Sequence, residues 1–300
     1  MGKIAPYISL IRFKLPPIQM APVMFVVSTV LSLIVSSIKS GIGFYHIATN
    51  IFLSIISVLT TSLAFYIYND LTDIEVDKTN NLNRPLSNGK ATKNNAQKLI
   101  VLLTAIGLST AFIMSLNVFL LVTLFYVLFF FYSYPPVRLK NIFLVKNLTI
   151  AVGTTMTYFI GSIITGTIPT IIYLMAVLGF MVALSTSMLN DLRDVIGDKK
   201  YNTMTVPVVW GPSQTLRFAI ALILSTAIAT VVGYFQLGFN LAFPLIASCA
   251  FIAWIVSVYP LFRSMNDQSF LTANVRTLIV KKIPPICIFI QLLTIIAAVL

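Results

Sequence analysis

The chain has 300 residues, of which 58% are hydrophobic and only 9% are charged, and its mean hydropathy is +0.96. Charged residues alone approach about 25% of a soluble globular domain, so this composition excludes that class and indicates an integral membrane protein. The net charge of +12 would suit a nucleic-acid binder only if a soluble face gathered the basic residues. No segment of the sequence offers such a face, so we expect the lipid bilayer, and no nucleic acid, as a partner.

Apolar runs follow one another along the chain, and we interpret residues 1–300 as one membrane domain. A transmembrane helix requires roughly 17–25 mostly apolar residues. Nine runs satisfy this requirement and predict an all-α, multi-pass protein with nine transmembrane helices. These runs lie at 18–38, 44–67, 96–115, 117–133, 146–165, 170–189, 215–235, 241–262 and 283–300.

The basic residues predict the orientation of these helices. If the N-terminus is cytoplasmic, 19 of the 20 lysines and arginines fall in cytoplasmic segments, and Lys39 is the single exception. Cytoplasmic loops of membrane proteins carry such an excess of positive charge. The high net charge is therefore mostly a topology signal, and it accords with a count of nine spans.

Acidic residues are scarce, and seven of the eight lie in two short clusters. The first cluster, NDLTDIEVD at 69–77, follows the second predicted span. If the helix continues through it, Asn69, Asp73 and Asp77 repeat every four residues and form one stripe. Like charges at this spacing repel each other, so the stripe requires water or a cation.

The second cluster repeats this spacing after the sixth predicted span. It reads NDLRDVIGD at 190–198, where Asn190, Asp194 and Asp198 again lie four residues apart. Carboxylate and amide oxygens that leave room for water and phosphate ligands suit Mg²⁺ better than Ca²⁺. We therefore predict that the clusters are two half-sites of one Mg²⁺ centre on the cytoplasmic face.

Basic side chains on the same face could bind an anionic ligand. A guanidinium or ammonium group close to a metal-bound phosphate stabilises the charge that builds up on a leaving group. The candidates are Lys78, Arg84, Arg138, Lys140, Lys199 and Lys200.

Three segments together resemble the UbiA-type intramembrane prenyltransferases. They are NDLTDIEVDKTNNLNRPLSNG at 69–89, YSYPPVRLK at 132–140 and NDLRDVIGDKKYNTMTVPVVWG at 190–211. They are similar to the family's NDxxDxxxD motif with its NRPL-like continuation, its Tyr-x-x-x-Lys/Arg element and its second DxxxD or DxxGD motif. The order of the three segments and the chain length also agree with the family.

The resemblance implies a helical bundle around a central cavity, in which Mg²⁺ joins both acidic motifs to an isoprenoid diphosphate. The implied metal ligands are Asn69, Asp70, Asp73, Asp77, Asp191, Asp194 and Asp198. The implied catalytic residues are Asp73, Asp77, Asp194 and Asp198. The candidates for diphosphate binding are then Lys78, Arg84, Tyr134, Arg138, Lys140 and Lys199. In the Tyr-x-x-x-Lys element this chain has Arg138 in place of lysine, so a planar guanidinium group replaces a compact ammonium group.

The implied reaction is ionisation of the allylic diphosphate and capture of the carbocation by an acceptor. The strings DKTNNLNRPLSNG and DVIGD are most similar to digeranylgeranylglyceryl phosphate synthase-like and chlorophyll-synthase-like members of the family. A lipid acceptor in ether-lipid synthesis is the first expectation, and an aromatic or quinone precursor, or a chlorophyll-type ring, is the alternative.

Two other classes of protein remain open. A membrane terpene cyclase would use the same acids but quench the carbocation within the substrate. A transporter would place polar groups near the bilayer midplane, whereas these acidic clusters lie at helix ends on one face.

Overall fold

The computed structural model describes residues 4–11, 20–79, 84–238, 240–264, 271, 274–275 and 277–299. Residues 80–83 of the first motif segment, the start of the first predicted span and residue 300 lie outside the described residues.

Within the described ranges every regular element is helical. Short 3₁₀ turns lie at Leu139–Asn141 and Tyr259–Ser264, and a π turn at Leu278–Lys282 leads into the last helix. The α-helices are α1 Ala5–Ile11, α2 Met20–Lys39, α3 Phe44–Thr72, α4 Ile74–Thr79, α5 Lys93–Met114, α6 Leu116–Ser133, α7 Val145–Ile163, α8 Thr170–Lys200, α9 Val206–Val209, α10 Pro212–Leu237, α11 Ala242–Val258 and α12 Ile283–Val299.

Seven helices in the described part of the chain are long and apolar enough to cross a membrane: α2, α3, α5, α6, α8, α10 and α11. This confirms an integral, multi-pass membrane protein. The predicted spans at 146–165 and 283–300 correspond to α7 and α12, which are not among the seven. The count of nine spans and the cytoplasmic N-terminus therefore remain predictions.

Helix α7 is interior and unusually polar for a membrane segment. It packs against α2, α6 and α8, and its buried residues include Asn147, Thr149, Thr157 and Ser162. Small and hydroxylated residues allow helices to approach closely and to hydrogen-bond across their interface. Ser162 bonds to Ser36 of α2 at 2.7 Å, so the low hydropathy of α7 reflects its place inside the bundle.

The closest approach of α2 to α7 depends on a glycine. A Cβ built on Gly161 would lie 2.0 Å from the carbonyl oxygen of Thr29, a distance that no side chain tolerates. The packing of α7 on α8 places the start of α7 beside the second acidic motif.

Candidate active site

The first acidic motif lies at a break between α3 and α4. Helix α3 ends at Thr72, Asp73 adopts φ −112° and ψ 14°, and α4 resumes at Ile74. This break departs from the continuous helix that the spacing assumed. The amide of Asp77 nevertheless donates to the carbonyl oxygen of Asp73 at 2.8 Å, so the helical hydrogen-bond register is restored after one residue.

Arg84 provides the counter-charge for two buried carboxylates of this motif. Its Nη1 lies 2.8 Å from Oδ1 of Asp70 and 3.0 Å from Oδ2 of Asp77. Both aspartates are at most 3% exposed, and a buried carboxylate is costly unless a cation or hydrogen bonds compensate it. The arginine of the NRPL segment, predicted to bind diphosphate, thus forms direct ion pairs with the first acidic motif, and its role in diphosphate binding stays a prediction.

Lys140 reaches the same motif from the turn after α6. Its Nζ donates to Oδ2 of Asp73 at 2.7 Å, to Oδ1 of Asn69 at 2.9 Å and to Oγ1 of Thr72 at 3.3 Å. Asn69 Oδ1 also accepts from Ser133 at 2.8 Å. Burial lowers the pKa of Lys140 to about 8, although the carboxylate of Asp73 opposes this shift.

Arg138 approaches Asp73 less closely than Lys140 does. It adopts a left-handed backbone conformation with φ 40°, and its amide donates to the carbonyl oxygen of Tyr134 at 2.7 Å. Its Nη2 donates to the carbonyl oxygen of Thr72 at 2.8 Å and lies 3.4 Å from Oδ1 of Asp73. The ring of Tyr134 stacks on Phe130 with 5.0 Å between ring centroids.

The second acidic motif lies on the uninterrupted last turns of α8. Asp191 is 2% exposed, and both of its oxygens face the start of α7. Lys146 Nζ lies 2.6 Å from Oδ1, and Asn147 Nδ2 donates to Oδ2 at 2.9 Å. Asn147 also donates to Ser187 at 2.9 Å.

The remaining acids of this motif have different partners. Arg193 binds Asp194 with both ends of its guanidinium, at 2.8 Å from Nε and 2.7 Å from Nη2. Asp198 accepts a 3.0 Å hydrogen bond from Thr205. The bidentate pair of Arg193 and Asp194 fixes the geometry of the carboxylate as well as balancing its charge.

The two motifs lie on the same side of the bundle and close together. The hydroxyl of Tyr201, just after α8, hydrogen-bonds to Thr79 and donates to the carbonyl oxygen of Glu75 at 3.3 Å. Arg84 is within electrostatic range of Asp194, and Tyr132 is within range of acids from both motifs. The predicted convergence of the two clusters is therefore present.

The donor set suits a hard divalent cation. Carboxylate and amide oxygens are the ligands that Mg²⁺ prefers, and the buried Oδ1 of Asn147, beside Asp191, has no hydrogen-bond donor among the described residues. In the described part of the chain, however, no three acidic, histidine or cysteine side chains are grouped closely enough to hold an ion. Lysine and arginine side chains instead contact the carboxylates.

An apolar cavity of about 200 Å³ begins beside the second motif. Asn190 and Ser187 line it next to Asp191, and it is bounded by side chains of α2, α3, α7, α8 and α12. Most of its lining is aliphatic or aromatic. The site thus combines charged groups at the helix ends with an apolar cavity that leads away from them.

A comparison with protein families identifies the chain. The sequence profile of the UbiA prenyltransferase family matches residues 23–274. The chain belongs to this family. The family resemblance predicted from the three motif segments is confirmed, and with it the prediction of a prenyltransferase.

Three curated relatives are digeranylgeranylglyceryl phosphate synthases. The digeranylgeranylglyceryl phosphate synthase of Methanosphaera stadtmanae is 28% identical over 201 residues, which cover 67% of this chain and 72% of the relative. The synthase of Pyrococcus furiosus is 34% identical over 54% of this chain and 57% of the relative. The synthase of Sulfolobus acidocaldarius is 29% identical over 70% of this chain and 77% of the relative.

Solved structures show the same UbiA fold over the whole chain. A digeranylgeranylglyceryl phosphate synthase structure has a TM-score of 0.69 at 20% identity and covers 100% of this chain and 99% of its own. A UbiA homologue from Archaeoglobus fulgidus, bound to GPP and Mg²⁺, has a TM-score of 0.66 at 19% identity and covers 97% of this chain and 99% of its own.

Some predicted residues of this UbiA member lie at the edge of the site. Lys78 forms an exposed ion pair with Glu75 at 2.9 Å, and Lys199 is exposed, so their roles stay predictions. From the sequence, Lys146 and Arg193 contribute only to the positive-inside pattern, and Asn147 carries no signal. The position of Arg193 inside the second motif could have indicated its pairing with Asp194. The placement of Lys146 and Asn147 beside Asp191 depends on helix packing.

Proposed function

We propose that this protein transfers a geranylgeranyl group from geranylgeranyl diphosphate to geranylgeranylglyceryl phosphate, a step of ether-lipid synthesis. The observation that carries this proposal is that the curated relatives are digeranylgeranylglyceryl phosphate synthases. The geometry supports it, because two converging acidic motifs, paired with lysine and arginine side chains, adjoin an apolar cavity. A charged diphosphate head and an apolar tail require this combination.

The donor's diphosphate would bind between the two motifs together with Mg²⁺. We assign the metal to Asn69, Asp70, Asp73, Asp77, Asp191, Asp194 and Asp198, as the family resemblance implies. The A. fulgidus homologue, bound to Mg²⁺ and GPP, supports divalent metal use. When bound, Mg²⁺ supplies a Lewis acid to the diphosphate oxygens.

The basic side chains near Asp73 would stabilise the leaving group. As the allylic C–O bond breaks, its electron pair passes to the diphosphate, and preorganised cations lower the energy of that charge. Lys140, Arg138 and Arg84 already converge on the first motif. The glycerol hydroxyl oxygen then captures the allylic cation and loses its proton, and the released diphosphate is a base at the same place.

The apolar cavity would hold the prenyl tail of the donor. Its lining is mostly aliphatic and aromatic, and its near end adjoins Asp191 through Ser187 and Asn190. We also propose that all nine predicted segments cross the bilayer, that the N-terminus is cytoplasmic and that the site faces the cytoplasm, as the distribution of basic residues indicates.

A panel of acceptors tests this function. Purified protein is incubated with labelled geranylgeranyl diphosphate and with geranylgeranylglyceryl phosphate, an aromatic quinone precursor, a chlorophyll-type acceptor or no acceptor. We expect the labelled product only with the glycerol phosphate ether. A product with an aromatic or chlorophyll-type ring would instead show the alternative acceptor, and a hydrocarbon formed without acceptor would show a terpene cyclase.

A further inference from the structure

The tail cavity extends from the second acidic motif into the bundle. Along α8 its lining runs from Asn190 to Met175, and along α7 it runs from Ile150 to Tyr158. Along α12 it continues as far as Gln291. On each of these helices the last lining residue is the one farthest from the site, so the deep end lies where α7, α8 and α12 converge.

A hydrogen-bonded cluster lies at this deep end. Gln291 of α12 donates from Nε2 to the hydroxyl of Tyr158 on α7 at 2.8 Å and to Oγ of Ser28 on α2 at 3.0 Å. Tyr158 is 2% exposed. These bonds join three helices at the end of an otherwise apolar cavity and hold the phenol ring in one position.

The ring of Tyr158 rests directly on the backbone of the fourth helix. A Cβ built on Gly179 of α8 would lie 2.4 Å from Cε2 of Tyr158 and 3.0 Å from its hydroxyl. Only glycine leaves room for the ring at this point. The ring therefore lies across the cavity near its deep end, one turn of α8 before Met175, and its hydroxyl is hydrogen-bonded to α12.

The distance from the acidic motif to this ring limits the space for an extended chain. Asn190 and Gly179 are separated by eleven residues of α8, which corresponds to about 16 Å at 1.5 Å per residue. A prenyl chain that runs from the motif along α8 meets the ring of Tyr158 at about this distance, and further units require the chain to fold or the ring to move. Displacing it costs both hydrogen bonding and packing, because the hydroxyl would be left in an apolar interior.

We propose that Tyr158, held by Gln291 and seated on Gly179, sets the longest prenyl chain that the donor site accepts. This inference rests on the proposed prenyl transfer and assigns its chain-length specificity to a particular side chain. The removal of the ring frees a volume similar to one isoprene unit in line with the tail. The removal of the hydroxyl alone leaves that volume filled.

The test compares donors of increasing length on four proteins: the unmodified chain, Tyr158→Ala, Tyr158→Phe and Tyr173→Ala. Tyr173 lies on α8 but is 53% exposed, so its variant controls for the loss of a tyrosine elsewhere. The readout is the ratio of kcat/KM for geranylgeranyl diphosphate to that for geranylfarnesyl diphosphate. A merely structural role for Tyr158 would lower both values and leave their ratio unchanged.

We expect this ratio to be at least about tenfold in the unmodified chain, in Tyr158→Phe and in Tyr173→Ala, and below about threefold in Tyr158→Ala. An unchanged ratio in Tyr158→Ala would overturn the inference. If thermal unfolding in detergent shows that Tyr158→Ala does not fold, Tyr158→Leu replaces it under the same criterion.

A second measurement separates this inference from the proposed function. Cys287 lines the cavity, so a bound tail should protect its thiol from an apolar maleimide in a Cys249→Ser background. Uncleavable thiodiphosphate analogues of the two donors are used, and no acceptor is present. We expect the longer analogue to protect Cys287 in Tyr158→Ala but not in the unmodified protein; equal protection in both would contradict the chain-length role even if transfer to the proposed acceptor failed.

Discussion

The Nζ of Lys140 lies 2.7 Å from Oδ2 of Asp73 and joins the turn after α6 to the end of α3. Arg138, which the Tyr-x-x-x-Lys/Arg spacing singled out, lies farther from the same carboxylate, at 3.4 Å. Arg138 adopts a left-handed conformation, and Lys140, two residues later, is buried. The principal cation of this element is therefore the lysine two residues later.

This arrangement predicts that the charge of Lys140 is needed for turnover. Lys140→Met should lower kcat/KM for the prenyl diphosphate by about 10²-fold or more, because removal of one preorganised donor to a developing anion has an effect of this size. Steady-state kinetics measure the loss. Lys98→Met, which changes an exposed lysine of α5, is the matched control, and equal activity of the two variants would contradict the assignment.

The position of Arg84 between two buried aspartates predicts a loss of stability. Arg84→Met removes the cation that both Asp70 and Asp77 contact, and breaking a buried ion pair from one side costs up to about 3–5 kcal/mol. Thermal unfolding in detergent reports the change. Lys78→Met breaks an exposed pair with Glu75 and should cost at most about 1 kcal/mol; a similar Tm for both variants would show that Arg84 does not compensate the buried carboxylates.

The pair of Lys146 and Asp191 predicts coupled effects of two substitutions. Both side chains are largely buried, 17% and 2% exposed. Lys146→Met leaves the carboxylate without its ammonium partner, whereas Lys146→Met combined with Asp191→Asn removes both charges. The double variant should be more stable than the sum of the single effects predicts, by about 0.5–3 kcal/mol. Strictly additive unfolding free energies would rule out this coupling.

The cavity predicts a specific effect of added bulk. Ala183 lines the cavity between the motif and Tyr158, so Ala183→Phe should obstruct the tail and lower kcat/KM for geranylgeranyl diphosphate by about tenfold or more. Ala253→Phe, at an exposed position of α11, is the control for added volume. Unimpaired kinetics of a folded Ala183→Phe protein would exclude this cavity as the tail site.

The acidic motifs and their association could be predicted from the sequence because charge is so scarce in an apolar chain. Asp73 and Asp194 stand out against their surroundings, and equal spacing indicates two related half-sites. The spacing alone could not show that α3 breaks at Asp73, since the following residues resume a helix and preserve its period.

Other parts of the site depend on packing between helices far apart in sequence. Lys146 follows the positive-inside pattern like any loop lysine, and only the packing of α7 against α8 brings it to Asp191. The deep end of the cavity also depends on helix packing, because Tyr158 and Gln291, which are hydrogen-bonded there, are separated by 133 residues. The polar composition of α7 also explains why α7 is not among the described helices that are apolar enough to count as membrane spans.

The most direct test of the account is the metal dependence of geranylgeranyl transfer to geranylgeranylglyceryl phosphate. Product is measured with Mg²⁺, with EDTA and after Mg²⁺ is restored, in the unmodified protein and in Asp73→Ala and Asp194→Ala. We expect product only with Mg²⁺ in the unmodified protein, and losses of at least about 10²-fold in both variants. Full transfer in EDTA, or in both variants, would contradict a metal–diphosphate site formed by the two acidic motifs.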